Sequence, residues 1–147
     1  MTRIDIRQVD IAESDMVAAI MRRAMTSHSF FDGSLHTAEE DRAFWREQVF
    51  PHCDVTGAYA DATLIGQAVG RGWIHHFHID PAWHGCGVGS LLLGTLQGRA
   101  TDLQLWTFQA NMGARRFYER HGFIAVEITD GQRNEEKLPD VRYRWLK

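Results

Sequence analysis

The chain has 147 residues, with 16 Lys and Arg against 19 Asp and Glu and a formal net charge of -3. A chain of this length is most simply one domain, residues 1–147, that buries about two thirds of the surface its unfolded form exposes. Its basic residues are scattered along the chain, which argues against nucleic-acid binding, and no run approaches the roughly 20 apolar residues of a membrane span.

The cysteine pattern and the first residues both indicate a cytoplasmic protein. Cys53 and Cys86 lie far apart without C-x-x-C spacing, which favours reduced thiols over a disulfide. The first ten residues, MTRIDIRQVD, lack the apolar core of a signal peptide. We therefore expect a cytoplasmic location and no membrane partner.

The first half of the chain predicts a strand, two helices and a meander of strands. Residues 3–8 alternate polar side chains with isoleucine, and residues 10–25 place apolar side chains at helical spacing. Thr37 and Glu40 form a capping box that begins a second helix, which we expect to end near Val49, before a proline. Short extended runs follow, at residues 55–60, 63–69 and 73–79.

The second half predicts a helix, a strand, a helix and two strands. We expect helices at residues 90–99 and 111–120, the second followed by Gly122 as a C-terminal cap. The strands are predicted at 103–108, 123–128 and 141–145. This order indicates an α/β fold with about four helices on a mostly antiparallel sheet.

The segment HIDPAWHGCGVGSLL, residues 78–92, carries three glycines at alternate positions between a predicted strand and a predicted helix. This layout is typical of an anion site, because the first N–H groups of a helix lack partners within the helix. The dinucleotide fingerprint G-x-G-x-x-G fails, since Ser90 or Leu92 stands at its last position, and no G-K-[ST] is present. A tight turn without a ligand is the alternative.

Two motifs together resemble the GNAT superfamily of N-acetyltransferases. HGCGVG at residues 84–89 matches its [Q/R]-x-x-G-x-[G/A] loop, with His84 where Gln or Arg is usual. NMGARRFYERHGF at residues 111–123 matches N-x-x-A-x-x-[FL]-Y-E-x-x-G-F. The resemblance implies a GNAT-like fold over nearly the whole chain, with the sheet splayed between the fourth strand, residues 73–79, and the fifth, residues 103–108.

The resemblance further implies acetyl-CoA as co-substrate, no metal, and attack of a primary amine on the thioester. Tyr118 matches the family tyrosine near the sulfur, the expected general acid, although a lone tyrosine on such a helix is more often a core residue. Asn111 is expected both to cap its helix and to contact the cofactor. The residues expected to bind the cofactor are Ile79, His84, Gly85, Cys86, Gly87, Val88, Gly89, Ser90 and Asn111.

The general base is less well defined by the sequence. Alternation along the fourth strand sends His75 to one face and His76 with His78 to the other. Some family members carry a catalytic histidine at the position of His75, which makes it the expected base. Partly buried sheet histidines, and a zinc site of His76, His78 and His84, are the alternatives.

The resemblance implies that the acceptor is a primary amine on a small molecule or a peptide. By resemblance, residues 27–41 form a wall of the acceptor site, to which Phe30, Phe31, Asp32 and His36 could contribute. A polar loop with Asn134, Glu135, Glu136 and Asp140 could attract an amine, but a solvated surface is the preferred interpretation. A non-catalytic acyl-CoA sensor is the alternative function, and a homodimer is among the oligomeric states that the sequence leaves open.

Overall fold

The computed structural model describes residues 2–147. Within this range the chain forms eight strands and four α-helices, besides short helical turns: β1 (Ile4–Gln8), α1 (Ser14–Thr26), α2 (Ala38–Phe44), β2 (Val55–Ala60), β3 (Thr63–Val69), β4 (Trp73–Ile74), β5 (His76–Ile79), α3 (Val88–Gly98), β6 (Asp102–Phe108), α4 (Met112–Arg120), β7 (Ile124–Thr129) and β8 (Asp140–Leu146). None of these helices is long and apolar enough to cross a membrane.

The helix ends are set by the capping residues that the sequence predicts. Thr37 Oγ1 accepts a hydrogen bond from the Glu40 backbone N–H at 3.1 Å, and the Glu40 carboxylate accepts one from the Thr37 N–H at 2.8 Å. Asn111 Oδ1 accepts from the Ala114 N–H at 3.1 Å, which begins α4. Gly122, after the end of α4, has a φ of 90°, the left-handed conformation typical of a C-terminal cap.

The strands form two four-stranded sheets. The first has the order β1-β2-β3-β5 and is antiparallel throughout. The second has the order β4-β6-β8-β7, with β4 and β6 parallel and the other pairs antiparallel. The α/β fold and the mostly antiparallel pairing are as the sequence predicts.

The predicted single strand at residues 73–79 is divided at His75, and this division separates the two sheets. Trp73 and Ile74 pair with β6, whereas His76 pairs with Val69 of β3. His75 lies in neither strand, although its backbone N–H donates to the Val69 carbonyl at 2.8 Å. The expectation of one continuous strand was therefore wrong, because consecutive halves of the segment bond to different sheets, which part between β5 and β6.

Two main apolar cores fix the helices on the sheets. One joins α3 and the second sheet and includes Leu92, Leu93 and Tyr143, each 0% exposed. The other core lies beneath α1 and includes Trp45, which is also 0% exposed. Trp45 begins a π-helical segment, Trp45–Val49, that continues α2 to the end predicted from the sequence. The cleft between the sheets is thus framed by helices that are each anchored to a packed core.

Candidate active site

A cleft of about 1670 Å³ opens where the two sheets part. Its walls come from β5, the first turn of α3, one side of α4, the segment that joins α1 to α2, and the loop between β7 and β8. A cleft of this size can hold a large ligand and a second, smaller one.

The loop before α3 presents bare backbone to this cleft. Gly85 and Gly87 have φ values of 76° and 81°, a conformation that L-residues rarely adopt, and a Cβ on either would meet no atom within 4 Å. Gly87 is the N-cap of α3 and offers no side-chain acceptor to the first turn. The N–H groups that begin α3 therefore face open space, where they can bind an anion.

Gly89 has a different role, because it lets α3 pack closely against its neighbours. A Cβ at this position would lie 3.3 Å from Phe117 Cζ and 3.7 Å from Ile79 Cγ1. The first turn of α3, the end of β5 and α4 consequently meet at this residue. The other predicted cofactor residues that line the same cleft are Ile79, His84, Val88, Ser90 and Asn111.

His84 is held by the strand that precedes it. Its Nε2–H donates to the Ile79 carbonyl at 3.0 Å, so the ring lies beside the end of β5. Cys86 is exposed, with its thiol 3.7 Å from the His84 carbonyl, and does not line the cleft within residues 2–147. Of the predicted cofactor residues, Cys86 is thus the one that does not line the described cleft.

Tyr118 lies at the floor of the cleft, on α4, and is 6% exposed. Its ring centroid is 5.6 Å from that of Phe123 and 6.1 Å from that of Phe77. Burial raises the pKa of the Tyr118 hydroxyl well above its usual value of 10. The hydroxyl therefore stays protonated at every working pH and can donate a proton or a hydrogen bond.

His76 and His78 lie on the same face of β5, as alternation predicts, and Phe77 between them points to the other face, towards Tyr118. The two histidine ring centroids are 5.8 Å apart. The His76 ring lies 4.9 Å from that of Trp45 and 5.8 Å from that of Phe44. Burial, followed by the neighbouring histidines, lowers the pKa of His76 to about 4 and that of His78 to about 3. Both imidazoles are thus neutral at physiological pH.

His75, the base predicted from the sequence, is exposed and lines the cleft at the break between β4 and β5. Because His75 lies outside both ladders, strand pairing does not fix the direction of its side chain.

Among residues 2–147 there is no group of three His, Cys, Asp or Glu side chains that could hold a metal ion, so the alternative zinc site is not formed there.

The segment between α1 and α2 forms one wall of the cleft, to which Phe31 and His36 contribute. The Phe30 ring stacks on that of His28 at 4.9 Å and meets the Phe108 ring edge-on at 5.7 Å. Asp32 instead bonds within the segment: its Oδ1 accepts hydrogen bonds from the backbone N–H and the hydroxyl of Ser34, at 2.9 and 2.6 Å. Of the four predicted wall residues, Phe31 and His36 thus line the cleft. Phe30 packs against neighbouring rings, and Asp32 bonds within its own segment.

Arg22 of α1 anchors this wall at three points. Its Nε donates to Asp41 at 2.8 Å, and its two terminal nitrogens donate to the carbonyls of His36 at 2.6 Å and Gly33 at 3.5 Å. Asp41 is 8% exposed, so this ion pair is mostly shielded from water. One guanidinium therefore holds the segment to both α1 and α2.

The polar loop between β7 and β8 also lines the cleft, and the Glu135 side chain there is still 57% exposed, as the preferred interpretation of a solvated surface expects. Glu135 lies 2.6 Å from His36 Nε2 and so joins this loop to the facing wall. Asn134 donates to the carbonyl of Leu138 at 2.7 Å and to Asp140 Oδ2 at 3.1 Å, which holds the loop in shape. Folding brings the loop to the cleft through contacts distant in sequence.

Sequence reasoning placed His28 in the predicted wall segment without naming it as a lining residue, and missed Phe44 and Phe108. Phe44 ends α2 and Phe108 ends β6, and only the packing of these elements brings them to one cleft. Nothing in their local sequence distinguishes them from core aromatic residues.

The family model for the Acetyltransferase (GNAT) family matches residues 18–123, more than two thirds of the chain. The chain belongs to the GNAT acetyltransferase family. This GNAT chain carries the glycine loop, α3, β6 and α4 within the matched region. The resemblance drawn from the two motifs is therefore confirmed. No curated protein sequence matches the chain.

Solved structures share this GNAT fold over almost their full length. Apo YjaB from Escherichia coli is 22% identical, with a TM-score of 0.81 and 97% of each chain covered. YncA from Salmonella typhimurium, solved with acetyl-CoA, is 15% identical, with a TM-score of 0.74 over 98% of this chain and 94% of that one. PaiA N-acetyltransferase from Thermoplasma acidophilum, in complex with coenzyme A, is 18% identical, with a TM-score of 0.69 over 99% of both. The predicted fold is confirmed.

The buried histidines predict a pH dependence of stability. An unfolded histidine takes up a proton as the pH falls below about 6.5, whereas folded His76 and His78 do so only near 4 and 3. The free energy of unfolding should therefore fall as the pH is lowered from 7 to 5. Urea unfolding at several pH values measures how steeply the free energy of unfolding changes with pH. In His76→Phe this pH slope should be shallower than in the parent by up to about 1.4 kcal/mol per pH unit. Equal slopes in the two proteins would contradict this expectation.

Proposed function

We propose that the protein is an acetyl-CoA-dependent N-acetyltransferase that acts in the cytoplasm on a primary amine of a small molecule or peptide. One observation carries the proposal: the open backbone before α3 and the buried Tyr118 hydroxyl line the same cleft. An anion cradle beside a proton donor suits a phosphorylated thioester that must lose a thiolate. Membership of the GNAT acetyltransferase family supports the same reaction.

The cradle fits the pyrophosphate of coenzyme A. Bound acetyl-CoA supplies the acetyl thioester, and the N–H groups of Val88, Gly89 and Ser90 are available to its phosphate oxygens because they begin a helix. The left-handed glycines keep side chains out of this space. The His84 Nε2–H already donates to the Ile79 carbonyl, so backbone N–H groups are proposed to provide most of the binding. Asn111 and the backbone of Ile79 are proposed as further contacts.

Tyr118 is proposed as the general acid. Its raised pKa keeps the hydroxyl protonated, and its place among aromatic rings excludes water from the point where a thiolate would form. Transfer of its proton to the sulfur would prevent the thiolate from attacking the new amide. The hydroxyl then recovers a proton from the solvent side of the cleft.

The acceptor side of the cleft has the charge expected for an amine site. Glu40, Glu136 and Asp140 line it together with Glu135, which is paired with His36. These carboxylates attract an ammonium group and raise its local concentration. His75, which is exposed in the same cleft at the break between β4 and β5, is proposed as the group that accepts the proton of the ammonium.

Calorimetry on the cradle glycine tests cofactor binding. Gly87→Ala puts a methyl group into the open cradle at a φ of 81°, so we expect acetyl-CoA to bind at least about tenfold more weakly. Gly94→Ala is the matched control, since a Cβ in this interior turn of α3 meets no atom within 4 Å. Acetyl-CoA should bind the parent and NAD should not. Binding of NAD without any coenzyme A ester would overturn the proposed function.

Tyr118→Phe tests the general acid. Because the ring is kept and only the hydroxyl is lost, we expect kcat to fall about a hundredfold while the Kd for acetyl-CoA is unchanged. Tyr143→Phe is the control, since its ring lies 6.2 Å from that of Tyr118 but its hydroxyl bonds to Glu119 at 2.6 Å and the residue does not line the cleft. Thiol release with a panel of amines is the measurement. Parental turnover by Tyr118→Phe would exclude the acid role, and binding without turnover on any amine would favour the sensor.

His75→Ala tests the proposed base. The variant should lower kcat/KM most near neutral pH, where an imidazole is best matched to proton transfer. The measurement is the pH–rate profile with the best amine from the thiol-release panel. An unchanged profile would assign the proton transfer to a water chain or another group.

A further inference from the structure

Two buried side-chain atoms have no hydrogen-bond partner within residues 2–147: Gln67 Oε1 and His78 Nδ1. Buried polar atoms are almost always paired, because an unpaired one loses its water without compensation. Gln67 is 0% exposed, which makes its lone oxygen costly. The two atoms therefore need an explanation.

The two residues are direct neighbours across the first sheet. Gln67 of β3 and His78 of β5 are opposite each other in the antiparallel register. Side chains at opposite positions of an antiparallel pair lie on the same face, with Cβ atoms about 5 Å apart. The two unpaired atoms thus belong to adjacent side chains beneath α1.

The orientation of the Gln67 amide is fixed from α1. Its Nε2 donates to the Val17 carbonyl at 3.1 Å, and a carbonyl can only accept. Oε1 is therefore the atom left over, and its partner must be a donor. Neutral His78 can supply one N–H, from either ring nitrogen.

The surroundings of His78 keep it neutral. The titratable groups that act on His78 are His76 on the same strand and His28 after α1. Both disfavour a positive charge on the His78 ring. The charged pair nearest along the strand is Asp80 with Arg23 of α1, 2.7 Å apart, and their charges offset each other. Burial and these histidines hold the pKa of His78 at about 3.

We propose that Gln67 is a positioning residue that holds His78 with its proton on Nδ1, bonded to Oε1 through one water molecule, so that Nε2 accepts a hydrogen bond from the acceptor amine. The proposal rests on the proposed function. His78 lines the cleft, and Nε2 is the remaining polar atom of its ring. One amine N–H would be held by Nε2, which turns the nitrogen lone pair towards the thioester.

In this arrangement His78 orients the nucleophile and takes no proton. The ammonium first loses one proton through His75 to solvent; the C–N bond then forms as the C–S bond breaks. The nitrogen of the new amide releases a second proton to solvent, the sulfur gains one from Tyr118, and the Tyr118 hydroxyl regains its proton from solvent. A histidine that stays neutral suits this role, because protonation would turn its acceptor nitrogen into a donor.

The first experiment reads the tautomer of His78 without a substrate. Two-bond ¹H–¹⁵N correlation spectra of the labelled protein distinguish an Nδ1–H from an Nε2–H imidazole, and the His78 signals are assigned by their loss in His78→Phe. We expect the Nδ1–H form in the parent and a shift towards Nε2–H in Gln67→Leu. Gln97→Leu is the matched control, since Gln97 Nε2 also donates to a backbone carbonyl, that of His121, at 2.9 Å. An Nε2–H tautomer in the parent would overturn the proposal.

The second experiment measures turnover on the best amine. Gln67→Leu should lower kcat about tenfold with an unchanged Kd for acetyl-CoA, whereas Gln97→Leu keeps both. His78→Ala should lower kcat at all pH values without moving the pH–rate profile, in contrast to His75→Ala. A profile that moves in His78→Ala would make His78 the base and overturn the proposal. If no amine is acetylated, the proposed function fails while the tautomer measurement still decides the role of Gln67.

Discussion

The backbone between Trp73 and Ile79 bonds to two sheets that diverge, and every part of the candidate site depends on this division. The first two residues pair with β6 in parallel and the last four with β3 in antiparallel fashion. Since one strand cannot follow both directions, the ladder breaks at His75. The gap that results exposes the end of β5, the start of α3 and the side of α4 to one another across the cleft.

The two faces of β5 border different chemical environments. On one face, Phe77 packs against the rings of Phe117 and Tyr118, at 5.8 and 6.1 Å, next to the glycine cradle. On the other face, His76 and His78 lie among aromatic and acidic side chains beneath α1 and α2. The alternation of a β-strand is thus sufficient to place an aromatic face beside the glycine loop and a histidine face beneath the helices around the same few backbone atoms.

Features with a local cause could be predicted from the sequence. The Thr37 and Asn111 caps, the glycine loop and the order of elements depend on a few neighbouring residues, and all are found in the structure. The division at His75, the place of Glu135 in the cleft and the pairing of Gln67 with His78 depend on residues distant in the chain. Periodicity carries no information about such contacts, which arise only when sheets and loops pack.

The wall between α1 and α2 is attached to the rest of the molecule in a different way from the sheets and the glycine loop. The sheets and the cradle are held by apolar cores, whereas the wall between α1 and α2 is held largely by one guanidinium bonded to Asp41 and to two carbonyls. Carbonyl acceptors exist at every residue, so the side chains along this wall are free to vary while its anchor persists. Side chains along this segment can therefore change the lining of the cleft while the bonds from Arg22 to the two carbonyls remain.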